Sequence, residues 1–195
     1  HILGTDSLGR DILSRGIVGS RISLALALVS IALITVVGTL LGITSGYIGG
    51  AFDAWFQRFV EIVLAFPQLP LYLTLATLIP VTAPSGLFLT FVVLVIVALG
   101  WAQLSREVRS KTLALRQVDY VRAALAVGAS DGRIITRHIL PNVMSHVIVA
   151  VTLGIPAIVL LESFLGFLGF AVKPPMISWG LMLQDAGTFS AIGSY

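Results

Sequence analysis

The residues best suited to specific chemistry lie in one segment, 119–141, which is charged and rich in small side chains within a very apolar chain. Asp119 is a good N-cap for a short helix, and Gly128 suits the left-handed residue that ends one. Ser130 can cap a second short helix, and Pro141 fits the start of another. This pattern predicts a helix, a sharp turn, a second helix and a return of the chain to the membrane. A solvated linker does not need this order.

The first short helix, predicted to end near residue 127, has one nearly flat face formed by Tyr120, Ala123, Ala124 and Val127. A flat face of this kind fits a shallow groove on a partner, so we predict that this helix binds a partner protein. In the second short helix, 131–139, the isoleucines at positions 134, 135 and 139 are predicted to face apolar surroundings. The alternative is an ordinary loop between two membrane segments.

Sequence motifs for catalysis and phosphate binding are absent from the chain. It contains no G-x-x-x-x-G-K-[ST], no H-E-x-x-H and no G-x-S-x-G pattern. It has no Cys, so it can form neither a disulfide nor a thiolate metal site. His138 and His146, eight residues apart, make a poor metal site. We therefore expect no catalytic residue, no metal and no cofactor.

Two acidic residues lie within long apolar runs. Glu61 follows Arg58 by three residues, so it forms either an ion pair near the cytoplasmic interface or a polar contact between spans or at a gate. Glu162 lies roughly 30 Å along a helix from Asn142, where it either caps a kinked segment or faces a pathway. Together with Pro67, these two acids are our candidates for a pathway or gate.

The elements that must position these residues are membrane helices. The chain is 57% hydrophobic and 11% charged, whereas soluble domains have about 25% charged residues. This low charge excludes a nucleic-acid-binding function and predicts an all-α membrane protein, a polytopic helical bundle. Four apolar runs have spanning length, at roughly 22–47, 54–79, 86–104 and 143–170. The third run is predicted to continue as a helix to about Leu115. Pro67 and Pro70 in the second run and Pro156 in the fourth predict kinked or broken helices.

Charge predicts the orientation of the bundle. Residues 103–141 carry seven basic and three acidic side chains, a net charge of +4, while the rest of the chain has a net charge of −1. The positive-inside tendency places 103–141 in the cytoplasm together with the turn at 46–53. Residues 1–19, 80–85 and 171–195 are then outside, despite three arginines near the N-terminus.

Three glycines share one face of the first predicted span, at positions 38, 42 and 46. Glycines at this spacing let another helix backbone approach closely. The alternative is that glycine is simply frequent in membrane helices.

The segment 119–141 and its flanks resemble a known family. Arg122-Ala123-Ala124, then Gly128, then Leu140-Pro141 are similar to the EAA loop of binding-protein-dependent ABC permeases, with Arg122 in place of the usual Glu and His138 in place of the usual Ile. The following segments resemble the oligopeptide/dipeptide/nickel permeases: 1–11, 19–24, Gly46-Tyr-Ile-Gly-Gly50, Ala65-Phe-Pro67, Gly128-Ala-Ser-Asp131, 137–142 and 174–180.

The resemblance implies a type-1 permease subunit of six spans, of which this chain holds spans two to five and lacks the first and last. The implied divisions are an extracytoplasmic segment 1–19, a transmembrane domain 20–170 with a cytoplasmic coupling loop 105–141, and an extracytoplasmic segment 171–195. The implied residues of the ATPase-coupling loop are Tyr120, Arg122, Ala123, Ala124, Gly128, Ala129, Ser130, Asp131, Leu140 and Pro141. The implied partners are a second permease subunit, two ABC ATPase subunits that bind the ATP, and an extracytoplasmic solute-binding protein.

We therefore expect a bacterial or archaeal permease of the cytoplasmic membrane that imports peptides or a related small solute. A permease for nickel or another non-peptide solute remains an alternative within the family. A secondary transporter or channel is an alternative of another class, but it would favour an inverted repeat or several intramembrane charges, and we see neither in the sequence. A structural membrane protein would not explain the helix–turn–helix loop.

Overall fold

The computed structural model describes residues 1–6, 8–80, 83–170 and 172–187. Its regular structure within these residues is helical, apart from an isolated β-bridge between Thr5 and Asp11. The helices are α1 (Ile12–Ile48), α2 (Gly50–Ala65), α3 (Gln68–Ala76), α4 (Ser85–Leu115), α5 (Asp119–Ala126), α6 (Asp131–Ile134), α7 (Leu140–Phe167) and α8 (Trp179–Gly187). A π-helical turn, Ile135–Ile139, joins α6 to α7. The all-α prediction is confirmed.

Three helical segments among the described residues are long and apolar enough to cross a membrane: α1, α4 and the stretch 131–167. The pair α2 and α3 forms a fourth span if it is counted as one, although it is bent by 75°. The predicted break at Pro67 is therefore confirmed. It arises because a residue before proline disfavours the helical region, and Phe66 accordingly has φ −75° and ψ 132°.

Two helices differ from the predicted spans. Helix α1 begins at Ile12, ten residues before the predicted start near residue 22, because Asp11 accepts hydrogen bonds from the backbone and hydroxyl of Ser14 at 2.8 and 2.6 Å. An N-cap of this kind starts a helix in a polar stretch that a search for apolar runs passes over. Helix α7 runs through Pro156 without a break, so the fourth span is not broken there, and the kink that the sequence also allows stays a prediction. Membrane helices tolerate an internal proline when neighbouring groups satisfy the freed carbonyl.

The described residues divide into two compact units, and each is considered on its own. The first unit contains residues 1–30, 72–95 and the described part of 154–195. The second contains residues 31–71 and 96–153. The described parts of the segments predicted to be extracytoplasmic fall in the first unit, and the segments predicted to be cytoplasmic fall in the second. The orientation relative to the membrane stays a prediction.

The first unit is organised around α8. The backbone N–H of Trp179 donates to Ser23 Oγ at 3.1 Å, and its indole N–H donates to the carbonyl of Gly16 at 3.0 Å. Ser23 in turn donates to the carboxylate of Glu162 at 2.9 Å. Gly180 and Gly166 touch backbone to backbone, which brings α8 directly onto α7. Helix α8 is therefore fixed to α1 and α7 at its N-terminal end.

A network of four charged side chains fixes the other end of α8. Arg15, only 7% exposed, donates to Asp6 and, at 2.8 Å, to Asp185. Arg10 forms a second ion pair with Asp6 at 2.7 Å. Burial raises the pKa of Asp6, but hydrogen bonds from the backbone and side chain of Arg10 outweigh it and lower that pKa to about 2. The segment before α1 is thus folded back onto the helix.

The second unit is organised around a close seam between α1 and α4. A Cβ on Gly38 would lie 3.1 Å from the Trp101 carbonyl oxygen, and one on Gly46 would lie 2.9 Å from that of Arg109. Gly42 makes a still closer approach between these two. The prediction that the three glycines form a packing face is confirmed, because their missing side chains leave room for the backbone of α4.

Candidate coupling site

Helix α5 ends in the turn that the sequence predicts. Gly128 has φ 83°, in the left-handed region. The N–H of Ala129 donates to the Ala124 carbonyl, and the N–H of Gly128 donates to the Leu125 carbonyl, each at 3.0 Å. These two bonds form a Schellman motif, which fixes the direction in which the chain leaves the helix. The start of α5 differs from the prediction: Val118 occupies the N-cap position, and Asp119 is the first helical residue, where its charge still favours the helix N-terminus.

The exposed side of α5 is partly apolar. Val127 is 85% exposed and Tyr120 is 43% exposed, with Arg122 and Ala123 exposed beside them. The opposite side turns inward through Val121, which is fully buried, and Ala124, which is half-buried. The predicted flat face therefore has Ala124 at its edge rather than at its centre. This helix presents a small, mixed surface to its surroundings within the single chain.

The return to the membrane is one continuous helical path. Ser130 occupies the N-cap position of α6 by its backbone, but its side chain forms no cap hydrogen bond. After one turn of α6, the π-helical turn leads directly into α7, in which Leu140 and Pro141 are the first two residues. The predicted separate helix over 131–139 is therefore wrong. A proline removes one N–H and crowds the carbonyl four residues earlier, and a wide turn at that point relieves both effects.

The isoleucines of this return path pack as predicted. Ile134 and Ile139 are fully buried, and Ile135 is half-buried. They fix one side of α6 and the π-helical turn against the rest of the second unit, so the return path is held by apolar burial as well as by its backbone.

A polar link joins this return path to the end of α1. Tyr47 donates its hydroxyl hydrogen to Asp131 at 2.6 Å. Arg116, which follows α4, lies over the Tyr47 ring with its Cζ 5.4 Å from the ring centroid, and donates to the carbonyl of Gly46 at 3.3 Å. The roles of Tyr47 and Arg116 are not readable from the sequence, because their partners are 84 and 70 residues away in the chain.

A partly buried ion pair supports the same end of the unit. Arg109 donates from Nε and Nη2 to the two carboxylate oxygens of Asp53, and Ser45 donates to Asp53 at 2.5 Å. Asp53 is 7% exposed, so its charge is compensated by a bidentate guanidinium. Gly49 and Gly50 have φ 69° and 60° and make the turn between α1 and α2. The segment Gly46-Tyr-Ile-Gly-Gly50 was a sequence signal for this site, but nothing in it identified the partners.

A cavity of about 520 Å³ lies beside the polar link. Its polar lining comes from Tyr47, Arg116 and Asp131, and its apolar lining includes Val121 and Leu125 of α5. Helix α5 therefore packs over incompletely filled space, with a fully buried Val121 as its inward contact.

The three candidates for a pathway or gate each have contacts of their own. Glu61 is 58% exposed and pairs with Arg58 at 3.1 Å, as the ion-pair interpretation predicts. Pro67 stands at the break between α2 and α3. Glu162 is 6% exposed and accepts the hydrogen bond from Ser23. A role of these residues in a pathway stays a prediction.

His138 and His146 both have protein partners. His146 lies 3.0 Å from a carboxylate oxygen of Glu107, and the His138 ring lies 5.9 Å from that of Tyr120. Within the described residues, no group of three or more His, Cys, Asp or Glu side chains is placed to hold a metal ion.

Long apolar helices, joined by a basic loop that carries a short helix, define the class of multi-pass membrane proteins. Residues 38–194 match the model of the family described as "Binding-protein-dependent transport system inner membrane component". The chain belongs to this family, and it is a multi-pass protein of the cytoplasmic membrane.

Several bacterial proteins are similar over most of the chain. The oligopeptide transport system permease protein OppC of Haemophilus influenzae is 40% identical over 95% of this chain and 58% of its own length. The dipeptide transport system permease protein DppC of Bacillus subtilis is 37% identical over 95% of this chain and 56% of its own. The glutathione transport system permease protein GsiD of Pectobacterium atrosepticum is 38% identical over 95% of this chain and 60% of its own. The chain thus spans less than two thirds of the length of these relatives.

Proposed function

We propose that the protein is a permease subunit of an ATP-driven ABC importer that moves peptides or related small peptide-like solutes into the cell. The subunit itself is not an enzyme and binds no cofactor. Two ABC ATPase subunits hydrolyse the ATP, a second permease subunit completes the translocation path, and an extracytoplasmic solute-binding protein delivers the solute.

The observation that carries this proposal is the form of α5. The helix is short, its exit is fixed by the Schellman motif at Gly128, and its outer side exposes Val127 and Tyr120 in the single chain. Such a rigid surface element on the basic loop has the properties needed to be displaced as a rigid body by a neighbouring subunit. Of the other residues expected in the coupling loop, Arg122, Ala129 and Ser130 lie on α5 or directly after it, whereas Leu140 and Pro141 begin α7.

The substrate class rests on the relatives. The names of those described above specify oligopeptides, dipeptides and glutathione, all of which contain peptide bonds. Peptides are therefore a better-supported substrate class than nickel or another non-peptide solute.

The test is uptake by the full-length protein, purified with its partner subunits and reconstituted into proteoliposomes. We expect uptake of a radiolabelled dipeptide or oligopeptide. This uptake should require hydrolysable ATP on the side of the membrane that carries the ATPase subunits, and the binding protein on the opposite side. Complexes supplied with a non-hydrolysable ATP analogue are the control. Uptake that proceeds at full rate with the analogue and follows an imposed ion gradient would instead indicate a secondary transporter.

A further inference from the structure

Tyr47 and Asp131 connect two elements that the proposed mechanism requires to move together. Asp131 is the first residue of α6, directly after the turn that ends α5. Tyr47 lies one residue before the end of α1. Their hydrogen bond of 2.6 Å is a polar contact between the loop and α1.

The α1 end of this contact is rigid. Gly46 packs against the backbone of α4, where an added Cβ would lie 2.9 Å from the carbonyl oxygen of Arg109. Arg116 covers the Tyr47 ring and also donates to the Gly46 carbonyl, so one guanidinium holds both neighbouring residues. The tyrosine hydroxyl is thus presented to Asp131 from a position fixed by two helices.

The α5 end of the contact is less firmly packed. Val121 is the fully buried side chain of α5, and the cavity of about 520 Å³ lies between this helix and the end of α1. A helix that borders empty space can shift without overcoming dense packing. A directional hydrogen bond to a carboxylate is therefore needed to keep the position of the loop fixed relative to the membrane helices.

We propose that Tyr47, Asp131 and Arg116 form a polar connection, here called the strut, that transmits the displacement of α5 and α6 to α1 and α4. This proposal rests on the function proposed above. Tyr47 and Asp131 are positioning residues: they contact neither ATP nor solute, and act by fixing where the loop stands relative to the spans. Loss of the strut leaves ATP hydrolysis running while the spans respond less.

The test compares Tyr47→Phe and Asp131→Ala in the reconstituted complete transporter. Tyr47→Phe should retain subunit co-purification and basal ATPase activity, while the number of solute molecules imported per ATP falls severalfold, because a hydrogen bond to a charged group is lost. Asp131→Ala, at a residue of the expected coupling loop, should lower the same ratio. Asp131→Asn keeps an oxygen that can accept from the tyrosine, so it should recover a large part of the ratio. Tyr72→Phe, the same chemical change at a buried tyrosine of α3, is the matched control and should retain the wild-type ratio.

A double variant distinguishes a strut from two separate effects. If the residues act through their mutual bond, Tyr47→Phe combined with Asp131→Ala should lower the ratio no further than either change alone. Additive losses, or wild-type ratios in assembled single variants, would overturn the strut. Because the wild-type complex is measured in parallel, its failure to couple uptake to ATP would instead count against the proposed function.

Discussion

A Cβ on Gly42 would lie 2.6 Å from the carbonyl oxygen of Ser105, closer than real side chains approach. The same atom would lie 2.8 Å from Val108 Cβ, so neither neighbour can move aside without shifting the helix backbone. The seam between α1 and α4 therefore requires glycine at this position.

Gly42→Ala should destabilise the folded protein by about 1–3 kcal/mol, because one methyl group forces the two helices apart. Gly132→Ala is the matched control, since a Cβ there meets nothing within 4 Å. The measurement is the thermal unfolding midpoint of the purified protein in detergent. Equal midpoints for the two variants would contradict the close seam.

Gly128→Val should cost on the order of 1–2 kcal/mol at the turn, because a β-branched residue disfavours a positive φ. It should also misdirect α6 and lower ATP-driven uptake while membrane insertion is retained. Uptake and ATPase rate in the reconstituted complex are the measurements. An assembled variant that transports at the wild-type rate would show that the loop is only a linker.

Ala123→Trp tests the docking surface of α5 separately from its inner packing. Ala123 is exposed, whereas Ala124 is half-buried, so a large residue at Ala124 would also disturb the chain's own interior. We expect Ala123→Trp to leave the isolated subunit stable but to weaken co-purification with the ATPases. Undiminished co-purification would place the docking surface elsewhere.

Glu162→Gln should preserve stability, because an amide oxygen can still accept the hydrogen bond from Ser23. Glu162→Leu should cost about 1–3 kcal/mol, because it leaves that buried hydroxyl without its acceptor. Thermal unfolding measures the difference between the two variants. If Gln preserves stability but abolishes uptake, the charge itself serves the pathway, which would support the pathway role expected from the sequence.

The pH dependence of the segment before α1 follows from Asp6. Its folded pKa of about 2 lies below the ordinary value of 3.8, so its ion pairs contribute stability that is present above pH 3.8 and is lost as the pH falls towards 2. Limited proteolysis by pepsin in nanodiscs should therefore cleave residues 1–11 faster near pH 2 than near pH 4, relative to a cleavage site elsewhere in the chain. Asp6→Asn should remove this difference.

The orientation can be checked with single cysteines, because the chain has no native Cys. An impermeant thiol reagent added to intact cells should label Lys173→Cys and leave Lys111→Cys and Arg133→Cys unlabelled. All three positions are exposed in the single chain. Ser178, on the predicted outer side, is fully buried and would be a misleading probe. Labelling of Lys111→Cys would invert the predicted topology.

Local sequence signals predicted the main elements because each has a local physical cause. Pro67 broke the second span, Gly128 ended α5, and the glycines of α1 marked a close helix contact. The start of α1 was missed because an N-cap, rather than apolarity, determines it. The course of 131–139 was missed because a π-helical turn has no periodicity of its own in the sequence.

The polar contacts were less predictable than the helices. Asp53 and Arg109 are 56 residues apart, and Arg15 and Asp185 are 170 apart. Nothing near either residue in the chain specifies its partner, because these pairs exist only once the helices have packed. The candidate coupling loop was therefore readable from sequence, but its attachment to the spans was not.

The π-helical turn at Ile135–Ile139 has a consequence for how the loop can vary in length. Such a turn is equivalent to one residue inserted into an α-helix. Deleting a single residue there would restore regular winding and rotate everything before it by about 100° around the helix axis. Asp131 would then point away from Tyr47, and α5 would present a different side outward. The direction in which the loop faces therefore depends on the number of residues in this turn as much as on their identity.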